Sequence, residues 1–341
     1  MSSSDDPATL LSSPEWLPSH WLRPANAIEF VRLERETHAQ LTFLSDEYLR
    51  PLGMRTATLP LPGIQTPAPA AAPQYIFHSA FAASTLLARA LDLPGIATAL
   101  KEPQILNDLA EGVRSQTLSR ELLALVTQLL ARPYEPGENV VIKPSNVANI
   151  LAGPLLDLNV GSNAIFLFAP LPRFLRSVAD KGLFGRTWVR RLFAILATDT
   201  RIDFGLSPTE QFELTDLQVT ALAWLRHHAQ AAALQQRFPH RVRMLNSETL
   251  LARRTETLLA AARHFGLPLG EDEAAEIAKG PAFTTHSKEL GRQFDPEEPL
   301  KPKAAVPIID DEIRMVGDWA RSVAEHAGIP MLFPLNASLL S

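Results

Sequence analysis

The sequence predicts an α/β protein with a doubly wound parallel sheet flanked by helices, an N-terminal arm and a C-terminal helical extension. Three times, an apolar run of β-strand character ends in a polar elbow that leads into helical spacing; the runs begin at Tyr75, Asn139 and Ala164. This alternation of strands and helices is typical of a parallel sheet. The chain has 341 residues, of which 46% are hydrophobic, so it can build a full core in one large or two ordinary domains.

The predicted organisation has three parts. Residues 1–73 comprise the arm, a small α/β segment and a proline-rich linker. Residues 74–299 form the main domain, and residues 300–341 hold a second linker, a helix and a tail.

The first part contains few regular elements. Residues 1–25 are expected to be a poorly ordered arm whose tryptophans dock on the body of the protein. Apolar spacing predicts a strand at residues 28–33 and a helix at residues 37–49. Five prolines among alanines in residues 59–73 indicate an extended linker.

The main domain continues with a short strand at residues 96–103, which ends in charged residues, and one long helix at residues 108–131. A further strand is predicted at residues 241–245, and the helix after it should end at Gly266, since Pro268 follows directly. The remaining predictions are helices at residues 183–198, 216–237, 271–277 and 310–326.

Composition and charge exclude several classes of function. The net charge of -5 gives no support for binding to nucleic acid or to a membrane surface. The chain has no cysteine, which excludes disulfides and thiolate chemistry, and its nine histidines show no metal-binding spacing. The N-terminus lacks the features of a secretory signal and no apolar window is long enough to span a membrane, so the expected location is cytoplasmic.

The most informative stretch is residues 75–91, which reads as a strand, a turn of small residues and a helix. A turn of this kind directs backbone amides and the positive end of the helix dipole to one point, where a phosphate or sulfate can bind. The amides of Ala82 and Ala83 and the hydroxyls of Ser84 and Thr85 are the predicted ligands. Capping of the helix requires the same residue types, and this alternative stays open.

The turn differs from the nucleotide-binding P-loop, G-x-x-x-x-G-K-[ST]. With Thr85 at the last position, His78, Ala83 and Ser84 stand where that motif has its two glycines and its lysine. The missing lysine removes the cation that reaches the β- and γ-phosphates. Kinase chemistry with ATP or GTP is therefore disfavoured.

Small residues followed by Ser84-Thr85-Leu86-Leu87 resemble the 5′-phosphosulfate loop of the sulfotransferases, which bind 3′-phosphoadenosine 5′-phosphosulfate (PAPS). That family usually has a Lys or Arg and then a Gly before the hydroxyls, where this chain has Phe81 and Ala83. The resemblance covers about residues 74–290 and implies a P-loop-type fold.

Other segments resemble the family in the same order. Lys143-Pro144-Ser145-Asn146 resembles its K-x-P segment, and residues 165–177 resemble its 3′-phosphate motif. Ser177 matches the serine of that motif. Ala169 stands at its arginine, so Arg173 is the candidate replacement. Lys288 lies where the family has a loop that closes over the donor.

The resemblance implies transfer of a sulfuryl group from PAPS, without a metal, to a hydroxyl or amine of a small molecule or a glycan. Lys101 and Lys143, at predicted strand ends, are candidates for the charge missing at Phe81, although both also read as solvated loop lysines. Glu102 is the candidate base and His78 is the second candidate, since the family uses a Glu or His near the loop. A strand terminator and a buried strand-end histidine are the alternative interpretations.

A second hypothesis is a non-catalytic binding or regulatory protein that keeps the fold and has lost transfer activity. Apolar residues at positions 81, 83 and 169 favour it. Neither hypothesis involves nucleic acid or a membrane, and the sequence leaves open whether the chain forms a homodimer.

Overall fold

The computed structural model describes residues 6–62, 64, 71–284 and 307–340. The strands in this part of the chain are β1 (Trp16–Leu22), β2 (Ala27–Arg32), β3 (Thr56–Pro60), β4 (Gln74–His78), β5 (Ala97–Lys101), β6 (Asn139–Lys143), β7 (Ala164–Phe168) and β8 (Val242–Asn246). The helices are α1 (Pro7–Ser12), α2 (Arg35–Gln40), α3 (Asp46–Leu49), α4 (Ser84–Ala90), α5 (Gln104–Arg114), α6 (Arg120–Leu130), α7 (Ala152–Leu158), α8 (Leu171–Asp180), α9 (Gly182–Asp199), α10 (Pro208–Glu213), α11 (Asp216–Arg237), α12 (Ser247–Ala252), α13 (Arg254–Phe265), α14 (Glu271–Lys279), α15 (Pro281–Thr284) and α16 (Pro307–His326).

The larger sheet has five parallel strands in the order β5-β6-β4-β7-β8. The first of these strands along the chain, β4, lies in the middle, between β6 and β7. The strand order therefore changes direction at β4, and ligands of open α/β sheets bind outside the carboxyl end of the sheet at such a point. The predicted doubly wound parallel sheet is confirmed.

Both faces of this sheet are covered. Tyr75 and Phe77 of β4 pack into one hydrophobic core, whereas Ile76 belongs to the other. Strands that are buried on both faces read as continuous apolar runs, which is why the sequence signalled them clearly. Lys101 and Lys143, the last residues of β5 and β6, are paired in the register.

The N-terminal residues form more structure than the sequence predicted. The expected poorly ordered arm is wrong for β1, which pairs with β2 in an antiparallel sheet completed by β3. Trp16 is buried in the core, and the register of β1 shifts between Pro18 and His20. This irregularity disrupts the period-two pattern from which a strand is predicted.

Two predicted helices are each divided. Residues 108–131 contain the end of α5 and all of α6, separated by a turn in which Gln116 has a φ of 57° and Ser119 caps α6 through the amide of Leu122. Residues 37–49 contain the end of α2 and all of α3. The apolar spacing runs across the break between α5 and α6 because both helices pack into the same core. The predicted end at Gly266 is confirmed by its φ of 68°.

A charged cluster links the N-terminal sheet to two helices. The Nε2 atom of His20 lies 2.7 Å from Asp46 of α3, and its Nδ1 atom lies 3.1 Å from Asp108 of α5. The hydrogen bond to Asp108, supported by Asp46, raises the pKa of His20 to about 9. His20 is therefore protonated at neutral pH.

The free energy of unfolding is expected to fall by about 1–2 kcal/mol between about pH 6 and about pH 9.5, after allowance for the partial exposure of His20. A raised pKa gives stability that is fully present below the ordinary value near 6.5 and is lost as the pH passes through about 9. Urea unfolding at both pH values measures it. The His20→Gln variant should lack this component, and equal pH dependence in both proteins would contradict the assignment.

Within the described residues, no helix combines the length and the apolar character that a membrane crossing requires.

Candidate active site

The anion turn, residues 79–85, lies between β4 and α4. The Ser79 amide donates to the carbonyl of Leu167 at 3.0 Å, and the Ser79 hydroxyl accepts from the amide of Ala169 at 3.3 Å. These bonds fix the base of the turn to the end of β7. The helix begins at Ser84, as the sequence predicted for this strand, turn and helix.

Several donors in the anion turn have no acceptor. In the part of the chain that the structure describes, the amides of Ala82, Ala83, Ser84 and Thr85 donate to no carbonyl or side chain, and neither hydroxyl of Ser84 and Thr85 makes a hydrogen bond. The two hydroxyl residues are each only 5% exposed. The two hydroxyl oxygens are not among the buried, partnerless side-chain atoms of the described residues, so a ligand can reach them, and accessible unpaired donors at a helix start suit an oxyanion.

Two residues of the turn have left-handed backbones without being glycine. Phe81 has a φ of 57° and Ala83 has a φ of 59°. Such a conformation costs a non-glycine residue about 1–2 kcal/mol. The Phe81 ring lies 5.7 Å from Phe174 and 5.2 Å from Trp188, so packing against α8 and α9 holds it in place.

Ala83→Gly is expected to raise the free energy of unfolding by about 0.5–1 kcal/mol, because relief of the left-handed strain exceeds the entropy that glycine adds to the unfolded chain. Urea unfolding measures the change. The control Ala88→Gly, in the interior of α4, should lower the stability by about 1 kcal/mol or more. A destabilised Ala83→Gly protein would contradict the strain at this position.

An ion pair between a buried lysine and a partly exposed glutamate lies at the carboxyl ends of the neighbouring strands. Lys143 is fully buried, and its Nζ atom donates a short hydrogen bond to Oε1 of Glu102. The Glu102 amide donates to the Lys143 carbonyl at 2.7 Å, and Glu102 has a left-handed φ of 57°. Burial lowers the pKa of Lys143, and the Glu102 carboxylate opposes that shift. The structure brings two of the predicted catalytic residues into contact.

His78 adjoins this pair, with its Nε2 atom 3.8 Å from Oε1 of Glu102. Its ring nitrogens face the carbonyls of Ser79 at 2.8 Å and Pro144 at 3.1 Å. Burial, with the charge of Lys143, holds the pKa of His78 well below its ordinary value. His78 is therefore neutral at pH 7 and can donate to only one of these carbonyls.

Lys101 lies apart from the pair. Its Nζ atom donates to the carbonyls of His38 at 3.1 Å and Ala39 at 3.3 Å, and to Asp92 Oδ2 at 3.4 Å. Burial lowers the pKa of Lys101 to about 8. The hydrogen bonds of its Nζ atom tie the N-terminal segment to the sheet, and none of them goes to another predicted site residue.

The residues predicted for the 3′-phosphate lie on α8, next to the anion turn. Arg173 is exposed, and the Ser177 hydroxyl donates to the Arg173 carbonyl at 2.9 Å. Ala169 is fully buried, and its carbonyl accepts from Trp224 Nε1 at 2.8 Å. Lys288 lies outside the described residues.

The N-terminal segment covers the ion pair, which was not predicted from the sequence. The Phe43 ring has its centroid 5.3 Å from Lys143 Nζ and packs edge-on against Tyr48 at 5.3 Å. The Leu44 amide donates to the Lys101 carbonyl at 2.7 Å, which holds this segment on the sheet edge. Burial, then the charges of Glu47 and Glu102, raises the pKa of Tyr48, so its hydroxyl stays protonated.

Asn149 was also not identified from the sequence. Its Nδ2 atom donates to the His78 carbonyl at 3.0 Å and lies 3.5 Å from Nδ1 of His227. Burial lowers the pKa of His227 to about 4, so this histidine is neutral. In the sequence, Asn149 shows only as a polar residue in an apolar helical pattern. That pattern does not identify the hydrogen-bond partner of its side chain.

No family model and no curated protein matches the chain. Among solved structures, it is similar to a sulfotransferase domain from the curacin biosynthetic pathway, with a TM-score of 0.44, 14% identity and coverage of 77% of this chain and 99% of that domain. A sulfotransferase domain from the Synechococcus PCC 7002 olefin synthase gives a TM-score of 0.40, 14% identity and coverage of 80% and 98%.

Proposed function

We propose that this protein transfers a sulfuryl group from PAPS to a hydroxyl or amine of a small molecule or glycan. The observation that carries the proposal is the set of unpaired amide and hydroxyl donors in the anion turn, which His78 links to the pair of Lys143 and Glu102. Donors for an oxyanion and a carboxylate for a proton are the parts that such a transfer requires.

The residues present fit the donor molecule. The amides of residues 82–85, with the hydroxyls of Ser84 and Thr85, would hold the 5′-phosphosulfate. Arg173 and Ser177 would hold the 3′-phosphate from α8. In place of a cation at position 81, the Nζ atom of Lys181 lies 5.5 Å from the Phe81 ring centroid and would add positive charge beside the turn.

The donor supplies an activated sulfuryl group when it is bound. Glu102 would accept the proton of the acceptor hydroxyl or amine, and the Nζ atom of Lys143 would hold that carboxylate in place through their hydrogen bond. Neutral His78 would position the turn through the Ser79 carbonyl. Phe43, which covers Lys143, would limit the access of water to the pair.

The test is incubation of the full chain with PAPS and a panel of phenols, alcohols, amines and oligosaccharides. We expect adenosine 3′,5′-bisphosphate to be released only in the presence of one acceptor class. Mass spectrometry should then find the sulfuryl group on that acceptor. Binding of the bisphosphate without transfer to any member of a broad panel would count against catalysis.

The second candidate is a binding protein of this fold without transfer activity. The left-handed Phe81 and Ala83 and the buried Ala169 favour it, because three positions that carry polar groups or glycine in the sulfotransferases are apolar here. The variant with Phe81→Arg and Ala83→Gly separates the two functions. If the natural chain is inactive and this variant transfers sulfuryl groups, the result would support the second candidate, in which the natural chain has lost transfer activity.

A further inference from the structure

A cavity lies in the N-terminal part of the protein, away from the anion turn. Its volume is about 470 Å³, which is within the range of small-molecule sites. Residues of β1 and β2 form one wall, and α3 with the turn after it forms the other. The apolar members of its lining are Leu22, Val31, Leu49 and Met54.

The irregularity in β1 brings polar groups into this cavity. In the register with β2, Pro18 pairs with Phe30 and His20 pairs with Glu29, so Ser19 is an extra residue. A bulge of this kind redirects side chains and is common beside functional sites. Ser19, His20 and Glu29 all line the cavity as a result.

One of the charged groups around the cavity has no oppositely charged partner among the described residues. Asp46 contacts both His20 and Arg50, and Asp108 contacts the other side of the His20 ring. The Ser19 hydroxyl lies 3.1 Å from the Glu29 carbonyl and 3.4 Å from the Glu29 carboxylate, so its one proton is shared between them, and no described residue forms an ion pair with Glu29. Among the charged residues that line the cavity, His20 and Arg50 both contact Asp46, and Glu29 is the carboxylate without a described cation.

We propose that this cavity binds a small organic ammonium ion with an apolar body. The ammonium group would pair with Glu29, while the apolar body contacts Leu22, Val31 and Met54. The ammonium group would supply the cation that Glu29 lacks, and the apolar side chains of the lining suit a hydrocarbon body. A protonated His20 beside Asp46 disfavours a dication, because the second charge would face an imidazolium.

The probe for this site is phenethylammonium, with 2-phenylethanol as its neutral counterpart and 3-phenylpropionate as its anionic counterpart. Titration calorimetry with the full chain is expected to show millimolar or tighter binding of the ammonium ion, and binding at least about tenfold weaker for the other two. Equal binding of the alcohol, or no binding of the ammonium ion, would overturn the proposal.

Two variants locate the site. Glu29→Gln should weaken ammonium binding at least about tenfold, because it removes the carboxylate and keeps the side-chain shape. The matched control Glu34→Gln changes an exposed carboxylate on the same unit and should leave binding unchanged. Equal effects of the two variants would overturn the assignment.

Met54→Trp, which fills the cavity, should abolish binding while the thermal unfolding profile stays cooperative. Unchanged affinity in this variant would place the ligand elsewhere and overturn the proposal. Ammonium binding is independent of the anion turn, so it should persist in a variant that has lost binding to adenosine 3′,5′-bisphosphate.

Discussion

Glu102→Gln is expected to slow sulfuryl transfer by about 10²–10⁴-fold, because the amide cannot accept the proton of the acceptor. The same change should lower the free energy of unfolding by about 3 kcal/mol, since it leaves the buried Lys143 without a counter-charge. Initial rates with PAPS, measured well below the melting temperature of the variant, report the first effect. Urea unfolding reports the second.

A second substitution separates the two effects. Adding Lys143→Met to Glu102→Gln removes the unpaired charge and should recover most of the lost stability, whereas transfer should stay slow. The control Glu248→Gln lies on the exposed first turn of α12 and should change neither quantity. Full transfer activity in Glu102→Gln would exclude Glu102 as the base.

Asp92→Asn is expected to lower the free energy of unfolding by about 3–5 kcal/mol. The Asp92 side chain is 5% exposed and pairs with Lys101, which is fully buried, and with Arg35 at 2.7 Å. Burial opposes ionisation of Asp92, yet the charges of Lys101 and Arg35 hold its pKa below the ordinary value. Urea unfolding of the natural and variant proteins measures the loss.

The matched control for Asp92 is Asp180→Asn, at the exposed end of α8, which should change stability by less than about 0.5 kcal/mol. Equal stability of the two variants would show that the cluster around Lys101 contributes no net free energy. It would also remove the account of how the N-terminal segment is held on the sheet edge.

The local parts of the site could be predicted from the sequence. Strand, turn and helix at residues 75–91 follow from short-range patterns, and the same holds for the polar ends of β5 and β6. Parallel strands bring their carboxyl ends together, so the proximity of His78, Glu102 and Lys143 also follows from the fold class.

The different partners of Lys101 and Lys143 could not be predicted. Both lysines end a strand and are paired in the register, so their local sequence signals are the same. The difference arises because Lys101 meets carbonyls of residues 38 and 39, whereas Lys143 meets Glu102 beneath Phe43. These contacts join residues about 40 to 100 positions apart, and hydrophobic periodicity does not indicate them.

The left-handed backbone conformations in the turn also could not be predicted from the sequence. Alanine and phenylalanine rarely adopt positive φ, so positions 81 and 83 read as departures from a glycine-containing motif. The structure shows that the backbone conformation is kept without glycine, since Phe81 is held by Phe174 and Trp188.

The most direct measurement is titration calorimetry of the full chain with adenosine 3′,5′-bisphosphate. We expect saturable binding that weakens at least about tenfold when Ser84→Ala and Thr85→Ala are combined. The control Ser207→Ala, at an exposed helix cap, should bind with the affinity of the natural protein. Absence of binding, or equal affinity in all three proteins, would contradict an oxyanion site in the anion turn.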